Sequence, residues 1–257
     1  MKISVFLPCR KGSQRVINKN TRPFGNFKFG LLQIKLQQLL SAANIDRIYL
    51  SSDDEVILDF AKKLKNEKIV IHKRNEFLSS NSASADMLVN HALDLIQEGV
   101  ILWTHVTSPF FTQKEYENAI TLYKENLPKF DSLMSVTALK GFFWDKNGAI
   151  NYDRSLMRWP PTQDTNILYE INSACFIAGV DIYKNGDRIG QNPYLYAIDK
   201  IKGVDIDYEE DFFMAQSLFK SNPLLIGGGG RYNLRQSVYF LSHIDTFYAS
   251  LPARSVA

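Results

Sequence analysis

The residues best suited to chemistry lie near the start of the chain, in a polar segment at 10–20 that follows an apolar run at 3–9. Gly12 permits a positive φ and close approach of the backbone to a ligand, and successive backbone N–H groups can form an anion-binding concavity. Cationic side chains add charge-assisted hydrogen bonds. The spacing differs from the Gly-x-x-x-x-Gly-Lys-Ser/Thr of the common phosphate loop. The segment predicts a site for a polyanion such as a triphosphate, built from Arg10, Lys11, Gly12, Ser13, Gln14, Arg15, Lys19 and Asn20.

Two aspartates at alternate positions, Asp205 and Asp207, follow an apolar residue late in the chain. In an extended segment their side chains point to one side, and Mg²⁺ commonly takes one or two carboxylates together with phosphate oxygens and water. The alternative role is helix capping, because Asp207 precedes a helical pattern and acids favour a helix N-terminus. Together with the cationic segment, the pair predicts phosphoryl or nucleotidyl transfer. In this hypothesis Arg10 and Lys19 hold phosphates, and a metal on the aspartates bridges the α-phosphate to the attacking oxygen.

The other reactive side chains favour no different chemistry. The four histidines lack zinc-site spacing, and no arrangement suggests a Ser-His-Asp triad. His91 lies on the apolar face of a predicted helix and is interpreted as a core residue, whereas His105 follows a predicted strand and is a candidate ligand contact. Cys9 and Cys175 lie in apolar runs and are expected to be buried, reduced thiols.

The elements that position these residues alternate between short β-branched runs and longer segments of helical period. Such alternation predicts βαβ units and a parallel sheet covered by helices on both faces, with ligands bound outside the carboxyl ends of the strands. We therefore expect the polar segments at 10–20, 52–54 and 205–207 and the one after Trp103 to converge at one edge. The predicted strands are 3–7, 47–51, 68–72, 100–104 and 132–137, and the predicted helices are 29–43, 54–64, 84–98 and 112–126.

After Lys140 the alternation stops. Residues 141–148 predict a turn-rich hairpin, 158–162 an extended arm, 172–180 a strand and 207–219 a last amphipathic helix. The organisation predicted is one domain at 1–220, with an arm at about 140–171, and a C-terminal tail of unknown role at 221–257.

Composition excludes several classes of protein. The net charge of +3 is small, and the basic cluster is one short segment without stacking aromatics, which argues against nucleic acid as a partner. No apolar run approaches the length that spans a bilayer, and the start of the chain lacks the pattern of a signal peptide, so a soluble cytoplasmic protein is expected. The absence of Gly-x-Gly-x-x-Gly argues against a dehydrogenase.

Several short motifs follow one another along the chain. They are Pro-Cys-Arg-Lys-Gly-Ser-Gln-Arg-Val-Ile-Asn-Lys-Asn at 8–20, Ser-Ser-Asp-Asp at 51–54, Leu-Ser-Ser-Asn-Ser-Ala-Ser at 78–84, Thr-Ser-Pro at 107–109, Pro-Thr-Gln-Asp at 161–164 followed by Asn-Ser-Ala-Cys-Phe at 172–176, and Val-Asp-Ile-Asp at 204–207 followed by Glu-Asp at 210–211. With these motifs in this order, the chain resembles the acylneuraminate cytidylyltransferases, or CMP-sialic acid synthetases, over about residues 1–219.

The resemblance implies a Rossmann-like nucleotidyltransferase fold with a mostly parallel sheet and a protruding dimerisation arm. It also implies that the C2 hydroxyl of a nine-carbon 2-keto sugar acid, of the sialic, pseudaminic or legionaminic type, attacks the α-phosphate of CTP, giving a CMP-sugar and pyrophosphate. Mg²⁺ is the usual cofactor, and a homodimer is the common assembly. The resemblance assigns Arg10, Lys19 and Asp207 to the reacting centre, Asp205 and Asp207 to the metal, and Asn20, Ala83 and Ser84 to the nucleotide.

Some positions depart from the pattern of this family. Loss of an arginine from a carboxylate site costs on the order of a few kcal/mol. We therefore expect either an acceptor other than plain N-acetylneuraminate or a replacement cation, for which Arg158 is the candidate. The departures are Gln14 for a Lys, His105 for a Gln, Thr162 and Glu170 each for an Arg, and Phe176 for a Tyr.

Two alternative functions stay open at this point. The same fold can serve another acceptor, such as a deoxyoctulosonate, or another nucleotide. The departures at Gln14, Thr162 and Glu170 also permit a catalytically silent nucleotide-binding protein.

Overall fold

The computed structural model describes residues 1–75, 78 and 84–227 of the 257-residue chain. Within these residues the strands are β1 (Ile3–Cys9), β2 (Arg47–Ser52), β3 (Ile69–Lys73), β4 (Val100–Trp103), β5 (Ser132–Leu139), β6 (Trp144–Asp145), β7 (Gly148–Ala149), β8 (Leu168–Gly179) and β9 (Pro193–Ile198). The α-helices are α1 (Gly30–Ser41), α2 (Glu55–Lys63), α3 (Ala85–Leu95), α4 (Gln113–Asn126), α5 (Val180–Lys184) and α6 (Glu209–Ser221).

Seven strands form one sheet in the order β3-β2-β1-β4-β8-β5-β9. Neighbouring strands are parallel except where β8 pairs antiparallel with β4 and with β5. The prediction of a mostly parallel sheet is therefore confirmed. The strands β6 and β7 form a separate hairpin, also as predicted.

Helices cover both faces of the sheet, as predicted. Val5 and Leu7 of β1 belong to a core cluster that includes side chains of α1, α2 and α4, whereas Phe6 belongs to a second cluster with side chains of α3 and α5. Successive side chains of a strand point to opposite faces, and a parallel strand buried on both faces is apolar throughout. This is why β1 appears in the sequence as a continuous apolar run.

The second half of the sheet differs from the sequence-based expectation. β8 starts at Leu168, earlier than the predicted 172, and runs antiparallel to its neighbours. Neither α5 nor β9 is predicted by the sequence pattern. α5 has only five residues, too few for a helical period to show. β9 is an edge strand without a fully buried residue, so its apolar pattern is weak.

The arm is organised around the buried side chain of Asn151. Its Nδ2 donates to Gly141 O at 2.7 Å and to Asn166 O at 2.9 Å, and its Oδ1 accepts from Phe143 N at 3.0 Å. These bonds hold together three parts of the arm that are distant in sequence. Many large apolar side chains of the arm are exposed, including Leu156, Met157 and Trp159.

After α6 the chain continues in a short 3-10 turn at Pro223–Ile226. Ile226 is buried, and its carbonyl accepts a hydrogen bond from Gln38 Nε2 at 2.9 Å. The rest of the predicted tail, 228–257, lies outside the described residues. Among the described helices, none combines the length and the apolar character needed to cross a bilayer.

Candidate active site

The polar segments expected at one edge of the sheet do meet there. β1, β2 and β4 are parallel, so the segments that follow them leave the sheet at the same end. Lys11 N donates to Asp53 Oδ1 at 2.8 Å, which links the segments after β1 and β2. Ile206 N donates to Thr107 O at 2.9 Å, which links the segment after β4 to the one that carries the two aspartates.

The 10–20 segment is anchored at both ends and exposed between them. Asn20 Nδ2 donates to Arg10 O at 3.0 Å, and Asn20 O accepts from Leu32 N of α1 at 2.9 Å. Gly12 has φ +73°, a left-handed value that favours glycine, and no other group lies within 4 Å of the position a Cβ would take. The predicted residues Arg10, Gly12, Gln14 and Arg15 are exposed, and Ser13 is partly buried. The segment therefore presents its backbone and cations to solvent at the edge of the sheet.

Asp207 is the residue at which the cationic segment and the late acidic segment meet. Its Oδ1 accepts from Arg15 Nη2 at 3.0 Å and from Lys19 Nζ at 3.3 Å. Lys19 also donates to Ile206 O at 2.6 Å, and its side chain is only 11% exposed. The two segments, distant in sequence, therefore form one charged cluster in the structure.

Neither Asp205 nor Asp207 is the N-cap residue of the helix that follows them. Asp207 N and Tyr208 N both donate to Asp211 Oδ2, at 2.9 and 2.8 Å, and α6 begins at Glu209. Tyr208 is therefore the N-cap residue, and Asp211, inside the first turn, makes the side-chain contact of the capping box. The capping alternative for Asp207 is wrong, because Asp207 lies before the cap and its carboxylate faces Arg15 and Lys19.

The donor set fits a hard divalent cation. Asp205 Oδ1 is buried and has no hydrogen-bond partner among the described residues, and a buried carboxylate oxygen is costly unless a donor or cation satisfies it. No cluster of three or more His, Cys, Asp or Glu side chains suited to a metal occurs within the described ranges. A cation on this pair would thus need further oxygens from phosphate or water, as is common for Mg²⁺.

His105 lies beside this cluster and is held as a neutral imidazole. Trp103 Nε1 donates to its Nε2 at 2.8 Å, and because an indole N–H can only donate, the proton of the neutral ring is on Nδ1. Burial, with a smaller contribution from the positive charges of Arg188 and Lys19, lowers the pKa of His105 to about 3. His105 can therefore donate a hydrogen bond from Nδ1 but does not act as an acid or base near neutral pH.

Fewer contacts define the positions of the other predicted site residues. Ser84 is the N-cap of α3, where its Oγ accepts from Met87 N at 3.3 Å. Ala83 lies outside the described residues. Arg158 is an exposed residue of the arm, and no described contact connects it with the cationic segment or with the aspartates. His91, interpreted as a core residue, is buried, and its Nε2 is 2.8 Å from Ser51 Oγ.

Two buried cationic side chains contact the segments at this edge of the sheet, and neither was identified from the sequence. Arg74 directly follows β3, its Nη2 is 3.7 Å from Asp53 Oδ1, and its Nε and Nη2 lack hydrogen-bond partners within the described chain. Lys35 of α1 is fully buried and donates to Ser108 O, Phe111 O and Tyr116 Oη at 2.9, 3.2 and 2.8 Å. Burial lowers the pKa of Lys35 to about 7. The sequence feature that could have identified Lys35 is its position between apolar residues of a helix that is predicted to be buried.

Comparisons with known proteins show the family to which the sequence belongs. A family model described as "Cytidylyltransferase" matches residues 4–221. Pseudaminic acid cytidylyltransferases of Campylobacter jejuni subsp. jejuni, from serotypes O:2 and O:23/36, are each 24% identical over 233 residues, which cover 86% of this chain and 98% of the relative.

Solved structures show a similar fold. A CMP:2-keto-3-deoxy-manno-octonic acid synthetase complexed with CTP superposes with a TM-score of 0.59 at 13% identity, covering 86% of this chain and 99% of that one. A 4-diphosphocytidyl-2C-methyl-D-erythritol synthase from Anaerococcus prevotii gives 0.60 at 13% identity, covering 85% and 98%. At this identity the two structures show the fold alone.

Proposed function

Since the chain belongs to the cytidylyltransferase family, we propose that it transfers CMP from CTP to a nine-carbon 2-keto sugar acid of the pseudaminic, sialic or legionaminic type. The sugar C2 oxygen forms a bond to the α-phosphorus, and the bond from the α-phosphorus to the oxygen that bridges it to the β-phosphate breaks. Pyrophosphate leaves with that oxygen, and the hydroxyl proton passes to solvent. The observation that carries the proposal is the contact of Arg15 and Lys19 with Asp207, 3.0 and 3.3 Å long, together with the buried Asp205 Oδ1, which has no hydrogen-bond partner among the described residues. The names of the curated relatives support an acceptor of this class.

The cationic segment is proposed to hold the triphosphate. Arg10, Lys11, Arg15 and Lys19 supply positive charge, and the exposed backbone around Gly12 supplies N–H donors. Phosphoryl transfer depends mainly on such positioning and on neutralising the charge that develops on the leaving group. Ser13 and Gln14 lie in the same exposed stretch and are proposed to contact the phosphates as well.

Asp205 and Asp207 are proposed to hold Mg²⁺, which when bound neutralises phosphate charge and orients the reacting oxygens. Lys19 and Arg15, both hydrogen-bonded to Asp207, orient that carboxylate. Asn20, Ala83 and Ser84 are proposed to line the nucleotide. His105, a neutral Nδ1–H donor, and Arg158 are proposed to contact the acceptor.

The exposed apolar surface of the arm supports a homodimer. Leu156 is 85% exposed and Trp159 is 65% exposed, and large apolar patches on soluble proteins commonly mark interaction sites. We propose that the arm contacts a second copy of the chain. A cytoplasmic location is proposed because the reaction consumes CTP. Sedimentation of the wild type and of a Leu156→Ser, Trp159→Ser variant tests the dimer, which the double substitution is expected to weaken.

The function is tested by incubating the protein with CTP, Mg²⁺ and either pseudaminic acid, N-acetylneuraminate or a deoxyoctulosonate, while pyrophosphate release is measured. Release with a nine-carbon acid is expected. Pyrophosphate release with the deoxyoctulosonate but with neither nine-carbon acid would show that the acceptor is an eight-carbon sugar acid and not the one proposed here. Stabilisation against heat by CTP without turnover on any 2-keto acid would show a silent nucleotide-binding protein.

A further inference from the structure

Arg188 is a partly buried cation that the sequence pattern did not single out. Its guanidinium carbon lies 4.2 Å from the centre of the Phe176 ring and 4.9 Å from that of Trp103. Both rings are almost fully buried, and the two residues are paired between β4 and β8. Cation–π contacts of this kind strengthen when they are desolvated. The guanidinium is therefore held in a fixed place against the sheet.

The guanidinium of Arg188 forms no ion pair within the described part of the chain, although the charge of Asp187 acts on it. The neighbouring Asp187 uses Oδ1 to accept from Arg188 N at 2.7 Å and from Ile189 N at 3.0 Å, and no ion pair to the guanidinium is found among the described residues. Burial lowers the pKa of Arg188. A desolvated, unpaired cation costs stability, and an incoming carboxylate would recover much of that cost.

Arg188 also lies close to the candidate active site. Trp103, on which it packs, ends β4 and donates to His105 Nε2 at 2.8 Å. Arg188 and Lys19 both act electrostatically on the His105 ring. Lys19, His105 and Arg188 thus form a series that runs from the Asp207 cluster past the end of β4. Arg158, the cation suggested from the sequence, shows no comparable connection.

We propose that Arg188 binds the carboxylate of the sugar-acid acceptor; this inference rests on the proposed function. The cations of the 10–20 segment serve the triphosphate, so the acceptor, itself an anion, needs a separate positive group to approach the α-phosphate. A guanidinium presents a planar fork of donors that matches a carboxylate in bidentate geometry. The rings of Phe176 and Trp103 hold the guanidinium in place before the substrate arrives.

The test compares Arg188→Gln and Arg188→Lys with the wild type, using pseudaminic acid and its carboxamide as acceptors. Arg188→Gln is expected to raise the KM for the acid about 10- to 100-fold, as loss of a charge-assisted hydrogen bond would, and to abolish the wild-type preference for the acid over the amide. The affinity for CTP, measured by calorimetry, should change less than about twofold. Arg188→Lys, which keeps the charge without the fork, should give an intermediate KM.

The matched control is Arg47→Gln. Arg47 begins β2 at the opposite edge of the sheet, where it donates to a backbone carbonyl, and its loss should leave both KM values unchanged. An unchanged KM for the acid in Arg188→Gln, or an equal loss of CTP affinity, would overturn the Arg188 proposal while the wild type stays active. Failure of the wild type to use any 2-keto acid would instead overturn the proposed function, and the Arg188 proposal with it. CTP binding also shows that each variant is folded.

Discussion

Replacing Asp207 with Asn removes the charge around which two cations of the 10–20 segment are arranged. The side chains of Arg15 and Asp207 are 51% and 44% exposed, and exposed ion pairs contribute at most about 1 kcal/mol. Lys19 is more buried but keeps its 2.6 Å hydrogen bond to Ile206 O. We therefore expect Asp207→Asn to lower the free energy of unfolding by no more than about 1 kcal/mol, measured by urea denaturation.

The effect on turnover is expected to be much larger. The variant loses one of the two carboxylates proposed to hold Mg²⁺, and removal of one electrostatic group from a reacting centre commonly lowers kcat by about 10²- to 10³-fold, or about 3–4 kcal/mol. In the absence of Mg²⁺ the variant should bind CTP at least as tightly as the wild type does, because no carboxylate then neutralises the charges of Arg15 and Lys19. Addition of Mg²⁺ should strengthen CTP binding less than in the wild type. Pyrophosphate release and calorimetry measure these quantities.

Asp181→Asn is the control, because Asp181 also pairs with a cation, Lys184 at 2.8 Å, but on the solvent-exposed side of α5. It should change neither turnover nor the response of CTP binding to Mg²⁺. Wild-type turnover in Asp207→Asn would refute the metal role. Loss of several kcal/mol of stability would show that the Asp207 cluster holds the fold together instead.

Three further predictions follow from the same structure. Arg10→Ala should weaken CTP binding by about tenfold, as loss of a charge-assisted bond would, and an unchanged Kd would count against the triphosphate site. Lys35→Met should lower the free energy of unfolding by about 2–4 kcal/mol, because three acceptors including Tyr116 Oη lose their donor; a loss below about 1 kcal/mol in urea would contradict this. His91 has a pKa lowered to about 4, chiefly by burial, so only the unfolded chain takes up its proton as the pH falls from 6.5 to 4. Stability should decrease across that window by up to about 3 kcal/mol, and His91→Gln should flatten the decrease in thermal scans; an identical slope would exclude His91 as its source.

The parts of the site that the sequence predicts are those encoded by local spacing. The cationic segment at 10–20 stands out because glycine and cations follow a buried strand without interruption, and Asp205 and Asp207 stand out because of their alternate spacing. Their meeting follows from the rule that the carboxyl ends of parallel strands lie at one edge. The hypothesis requires Arg10 and Asp207 to lie close enough to share one CTP, and the hydrogen bond from Arg15 to Asp207 brings the segment that carries Arg10 to this aspartate.

The missed features depend on which elements pack together, which local spacing does not encode. Lys35 is a cation on a helix that also carries leucines, and its role appears only when the turn at Ser108 is seen to lie against it. Arg188 follows a helix of five residues and acts through rings on β4 and β8. The antiparallel direction of β8 results from the path of the arm back to the sheet, and a strand pattern is the same in either direction.

Six buried side-chain nitrogen and oxygen atoms have no hydrogen-bond partner in the described chain, and four of them lie near the candidate active site; the other two are Gln38 Oε1 and Tyr183 Oη. Asp205 Oδ1, Ser108 Oγ and two nitrogens of Arg74 lack partners, although folded proteins normally pair such groups. Arg74 follows β3, Ser108 lies in the segment after β4, and Asp205 lies in the segment bonded to Thr107. A nucleotide with its cation offers acceptors to the arginine and the hydroxyl and positive charge to the aspartate. The groups left unpaired at this edge are therefore ones that the proposed substrate can satisfy. Such a pattern is expected where a binding site lowers the stability of the free protein and the bound substrate restores it.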